Sequence, residues 1–163
     1  MTFNVEPFSK QSFELGEGPH WYNDKLYFVD ILDGTAGTLD SNGVYHLLHK
    51  EKDNIVSAVF PVEGDDQSIA FSTKLGVYSL NLTTGNKKLI DSLEGDGFRF
   101  NDAKCDSKHR LWIGTMGLET SPGVLQPEKG LPNKVKHFIF TKFAFFLKAL
   151  STRCLVKGNL KKD

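Results

Sequence analysis

Apolar and polar residues alternate with a period of two through most of the chain, and the runs are short and closed by polar, glycine-bearing stretches. This is the pattern of β-strands, and no sustained helical period occurs before residue 138. Three runs share one motif: KLYFVD (25–30), SIAFST (68–73) and RLWIGT (110–115). Leu26, Ile69 and Leu111 hold equivalent places in them, 43 and 42 residues apart. A second strand-like run and a tight turn follow in the first two repeats, with Asn42-Gly43 and Thr84-Gly85 at the turns. Asn-Gly predicts a hairpin loop in which both central residues hold positive φ. A period of about 40–45 residues built from short antiparallel strands is that of a β-propeller blade. Such a ring closes with at least about four blades, and this length holds about three. The pattern therefore predicts an all-β fold, an incomplete β-propeller.

Composition changes this picture at one place. The 163 residues are 39% hydrophobic and 25% charged, which suits a soluble globular domain. The formal net charge of zero divides unevenly: residues 1–129 carry −7 and residues 130–163 carry +7. That break predicts a boundary, with a partial propeller over 1–137 and a divergent basic tail, helical or disordered, over 138–163. Cys105 and Cys154 have neither CxxC nor Cys/His spacing, which points to two free thiols in a reducing compartment. The N-terminus shows no charged-then-apolar export pattern, so the expected location is cytoplasmic. The tail's apolar stretch is interrupted by Lys142 and Lys148 and is too short to span a bilayer. An acidic body and a tail without a recognisable motif argue against nucleic acid as a partner.

Two stretches carry candidate chemistry. In ELGEGPHW (14–21) a carboxylate, Glu17, stands between two glycines. It reads either as a loop charge in a glycine–proline turn or as an oxygen ligand carried on bare backbone. In GFRFND (97–102), Arg99 and Asn101 are two apart and share one side of an extended segment, a cation and an amide suited to a polyhydroxylated ligand. Asn-Asp is equally an ordinary turn dipeptide.

LGEGPHW with LYFVDI, followed by RFNDAKCD and LWIGTMGLE, resembles the regucalcin (senescence marker protein), gluconolactonase and luciferin-regenerating enzyme family over about residues 8–130. The resemblance implies part of a six-bladed propeller with a divalent cation in its channel, and hydrolysis of sugar lactones. It implies Glu17 as a metal ligand and Arg99, Asn101 and Glu119 as substrate-binding residues. The cation would be Ca²⁺, Zn²⁺, Mn²⁺ or Mg²⁺, since oxygen ligands favour hard ions. In such a site the metal polarises the lactone carbonyl and acidifies a water, while a carboxylate takes the proton.

Two further ligands of the family pattern, an Asn in NGL and an Asp that is also the acid/base, find no counterpart here, so no catalytic residue is assigned. The implied function is a metal-dependent sugar-lactone hydrolase, impaired in these 163 residues. One alternative is a non-catalytic calcium-binding regulatory protein, whose cation would occupy the same channel, because no EF-hand loop occurs. A propeller serving as an interaction scaffold is a third reading. Beyond QPEKG (126–130) the resemblance fades. The Phe- and Lys-rich tail reads as foreign to the fold, as an alternatively spliced end would be, or as a basic segment for a membrane surface.

Overall fold

The computed structural model describes residues 5–52, 55–106, 111–121, 124–125 and 138–140, and every regular element among them is a β-strand. The first sheet is a four-stranded antiparallel meander of β1 (Gly16–Tyr22), β2 (Lys25–Asp30), β3 (Thr35–Leu39) and β4 (Tyr45–Lys50). The second repeats it with β5 (Ala58–Val62), β6 (Asp65–Ser72), β7 (Gly76–Asn81) and β8 (Lys87–Ser92). The third pairs β9 (Phe98–Cys105) with β10 (Leu111–Gly117), and a two-stranded ribbon of β11 (Glu119–Ser121) and β12 (Val124–Leu125) follows. A short strand, β13 (Phe138–Phe140), runs antiparallel along Leu111–Ile113. These three residues are the described part of the predicted tail; the rest of it, including Cys154, lies outside the described residues.

The sequence repeat has a structural meaning. Leu26, Ile69 and Leu111 each sit on the second strand of their sheet and face the first strand, opposite Trp21, Pro61 and Cys105. The first strands β1, β5 and β9 touch one another, as the innermost strands of propeller blades do around a common axis. The described residues therefore form about three blades of an incomplete β-propeller.

The hydrophobic core lies between sheets. Tyr27, Val29, Ile31 and Ala36 of the first sheet pack with Val59, Ile69, Phe71 and Leu80 of the second. The opposite face of that second sheet, with Ala58, Phe60, Ala70 and Val77, packs against Phe100, Ala103, Leu111 and Ile113. Adjacent residues of one strand, Ala58 and Val59, thus serve two different cores, because successive side chains of a strand point to opposite faces. A polar fastening joins the rims of the first two sheets. Glu51 binds His49 Nε2 at 3.1 Å and Lys87 Nζ at 2.6 Å, and Lys87 lies 4.2 Å from the Tyr78 ring centroid.

The turns differ from expectation. The hairpin with positive φ at both central residues is Asn23-Asp24, at 45° and 57°, between β1 and β2. At Asn42-Gly43 only the glycine is left-handed, with φ 75°. The Asp40 side chain takes over that loop by accepting from the backbone N–H groups of Asn42 (2.9 Å) and Val44 (3.0 Å). This is the longer loop that ends in a left-handed residue, and Asp40 rather than Asn42 sets it. A Cβ at Gly43 would also run into the Phe8 carbonyl oxygen, so glycine is required there on two counts.

Candidate functional site

Both motif strands are interrupted by a bulge at the same end of the molecule. In β1, Glu17 pairs with Val29 and His20 with Tyr27, so Gly18 and Pro19 together oppose a single residue. In β9, Ala103 pairs with Ile113 and Phe100 with Thr115, leaving Asn101 and Asp102 opposite Gly114 alone. A bulge of this kind bends the strand and redirects side chains. It explains how two consecutive residues, Asn101 and Asp102, line one cavity.

That cavity has a volume of about 180 Å³ and is lined by Glu17, Arg99, Asn101, Asp102 and Glu119, with Ser57, Leu15, Ile31 and Met116. All four residues singled out in the sequence are brought together there, from β1, β9 and β11. Glu17 and Glu119 are exposed at the cavity, whereas Arg99 is 8% exposed. Arg99 donates from Nη1 to the Phe100 carbonyl at 2.9 Å and to Asn101 Oδ1 at 3.4 Å. Burial lowers the guanidinium's proton affinity and the negative charge of Glu119 works against that, while a guanidinium stays charged in proteins. A larger concavity of about 960 Å³ lies between residues 7–11 and 42–45, but its only charged residue is Lys10 and it gathers no acid or histidine. The charged and polar side chains gather at the smaller one.

The glycines around Glu17 act differently from the close packing that their pairing suggests. A Cβ on Gly16 would meet only the Phe13 Cβ, at an ordinary 3.8 Å, and one on Gly18 would meet nothing within 4 Å. Gly18 is instead left-handed, with φ 60°. It is there to form the bulge, since other residues pay in backbone strain for that conformation. Likewise, Asn101-Asp102 is bulged strand, not turn.

Three contributors lay outside the sequence reading. Asp102 stands inside the RFND motif but reads there as half of a turn dipeptide. Ser57 is 1% exposed and shares a 2.8 Å hydrogen bond with Ser72 Oγ, and nothing in the sequence marks it. Asp30 is 5% exposed and anchors the approach to Glu17 through backbone hydrogen bonds; its signal was an acid closing an apolar strand. Further along β1, His20 is held toward its neutral form by burial and by the nearby Lys104 charge, and its Nε2 has no hydrogen-bond partner among the described residues.

Oxygen donors at the rim suit a hard cation in kind, but among the described residues no group of three His, Cys, Asp or Glu converges to hold a metal. Glu17 by itself is an incomplete cation site. Among the described residues no helix is long and apolar enough to cross a membrane.

Comparison with known proteins agrees with this geometry. Residues 15–131 match the family described as the SMP-30/Gluconolactonase/LRE-like region. The chain is 30% identical to pentonolactonase XacC of Haloferax volcanii over 116 residues, which is 70% of this chain and 38% of that protein. Among solved structures, a luciferin-regenerating enzyme superposes with a TM-score of 0.60 at 27% identity, covering 70% of this chain and 40% of that one. Regucalcin of Agrobacterium tumefaciens, described as a calcium-binding protein, superposes with a TM-score of 0.58 at 27% identity, covering 68% and 38%. The chain spans under two fifths of the length of the first curated relatives it matches. On the match over residues 15–131, the chain belongs to the SMP-30/gluconolactonase/LRE-like family.

Proposed function

We propose that the cavity is the substrate side of a metal-dependent sugar-lactone hydrolase. The observation that carries this reading is the convergence of Glu17, Arg99, Asn101 and Glu119 on one space of about 180 Å³. Arg99 offers fixed N–H donors, Asn101 both donates and accepts, and Glu119 accepts, which together suit the hydroxyls and ring oxygens of a sugar lactone. Leu15, Ile31 and Met116 provide apolar wall for the C–H edge of such a ring. Glu17 contributes one carboxylate to a divalent cation (Ca²⁺, Zn²⁺, Mn²⁺ or Mg²⁺), whose remaining ligands, like the acid/base carboxylate, have no counterpart in these 163 residues. These 163 residues are accordingly expected to turn over lactone poorly.

The test is hydrolysis of D-glucono-1,5-lactone by the protein, with each metal added in turn. Glu17→Ala is expected to abolish the dependence on metal. Arg99→Ala is expected to reduce kcat/KM by about a hundredfold, the scale of one lost charge-assisted contact in a buried site. Turnover indifferent to metal and to both substitutions would end this reading.

A second reading, a non-catalytic calcium-binding regulatory protein, is favoured by the likeness to a solved chain described as calcium-binding. Calorimetric titration separates the two, because calcium binding without lactone turnover is the signature of the second.

A further inference from the structure

Asp30 closes β2 next to Ile31, which lines the cavity, yet its own carboxylate points back at the chain that leads to Glu17. Oδ2 accepts from the Glu14 N–H at 2.8 Å; Oδ1 accepts from the Leu15 N–H at 3.1 Å and from the Asp33 N–H at 3.3 Å. A fourth bond closes the arrangement, from the Ile31 N–H to the Leu15 carbonyl at 3.1 Å. Both segments fastened in this way contribute directly to the site, through Leu15 and Glu17 on one and Ile31 on the other.

The need for such a fastening follows from the strand itself. Gly16 pairs with Asp30 and Glu17 with Val29, but beyond Glu17 the ladder breaks at the Gly18-Pro19 bulge, so Glu17 is the last paired residue and is held from its N-terminal side only. On the N-terminal side, Gly16 adds further backbone freedom. A buried carboxylate accepting three backbone N–H groups is a rigid anchor, because each bond to the charged group is stronger than a neutral one and leaving any of them unmade is costly.

We propose that Asp30 is a positioning residue for the site: by fixing the backbone of Glu14 and Leu15 it sets where the Glu17 carboxylate enters the cavity. The role in catalysis rests on the lactonase reading, but the positioning itself does not. Asp30→Asn is the discriminating change. One amide oxygen still accepts from Leu15, while the NH₂ group meets the Glu14 N–H donor to donor. Asp40→Asn is the control, because Asp40 holds an exposed loop of the same sheet through two backbone N–H groups and lies outside the cavity lining.

The experiment is NMR on the full-length protein with both variants. Asp30→Asn is expected to speed amide exchange at Glu14 by about tenfold, the scale of one lost charge-assisted hydrogen bond. It is also expected to shift the Glu17 carboxyl carbon resonance, with those of Asp102 and Glu119 unmoved. Asp40→Asn is expected to leave all three in place. A second arm titrates Ca²⁺ alone by calorimetry and expects weaker binding in Asp30→Asn only.

An unchanged Glu17 resonance in a folded Asp30→Asn protein overturns the proposal, whatever happens to exchange. Where that variant loses its sheet signal by circular dichroism, Asp30→Ser, which keeps a single acceptor oxygen, takes its place with the same criteria. Loss of fold in both would make Asp30 a purely structural residue and likewise overturn it. A wild-type protein that binds no Ca²⁺ and hydrolyses no lactone would sink the functional reading while leaving the Glu17 resonance to decide this one.

Discussion

Gly18 shows how much a single backbone angle controls here. Its left-handed φ of 60° makes the bulge that follows Glu17, while the space around it is empty. Alanine at 18 is therefore expected to cost about 1–2 kcal/mol from backbone strain alone. Alanine at 16 should be nearly neutral, and thermal denaturation of the two variants checks the contrast. Equal effects at both positions would restore close packing as the explanation. The residues themselves were legible: Glu17, Arg99, Asn101 and Glu119 were all marked by motif and all reach one cavity. What was hidden was the reason for their setting. A Gly-Glu-Gly run looks the same whether glycine relieves crowding or permits a bulge, and only coordinates tell the two apart. Strict alternation places Asp102 on the face opposite Asn101, and the bulge suspends alternation for one step, which brings both to the cavity.

At the level of elements, the sheets are joined by contacts that no single strand pattern reveals. Burial pushes the Glu51 carboxyl toward higher pKa, but Lys87 and His49 outweigh it and hold the group below its usual 4.5. The unfolded chain regains the ordinary value. The stabilisation is therefore complete above about pH 4.5 and is lost as pH falls through the lower folded value. Glu51→Gln is expected to remove about 1 kcal/mol at neutral pH, with the two proteins converging in strongly acid solution. Urea midpoints measured across that range check it, and a gap independent of pH would assign the loss to packing. The same limit explains the turns. Asn-Gly is a local signal, but Asp40, two residues earlier, outcompetes it by offering its carboxylate to the backbone. The two-residue turn formed instead at Asn23-Asp24, residues that tolerate positive φ without advertising it.

For the molecule as a whole, the 43- and 42-residue spacing is enough to anticipate consecutive blades, because each repeat carries an aliphatic residue, Leu26, Ile69 or Leu111, on its second strand. The distribution of the core was less visible. Strand β5 is buried along its whole length, so its alternation separates one core from the next instead of core from solvent. Cys105 reports on this packing: burial, helped by Asp106, raises its thiol to about 11. Labelling with a thiol reagent near neutral pH is expected to be slow in the folded protein and to accelerate as denaturant opens the third sheet. Immediate labelling of the native protein would mean that this sheet is not packed as described.

The sharing of side chains between neighbouring sheets bears on biosynthesis. When the first sheet leaves the ribosome, Val29 and Ala36 have nothing to rest against until Val59, Ile69 and Phe71 are translated. Phe60 and Val77 must then wait in turn for Phe100 and Leu111. A nascent chain of this design carries a bare greasy face forward with every unit it completes, so it should engage chaperones at regular intervals during translation.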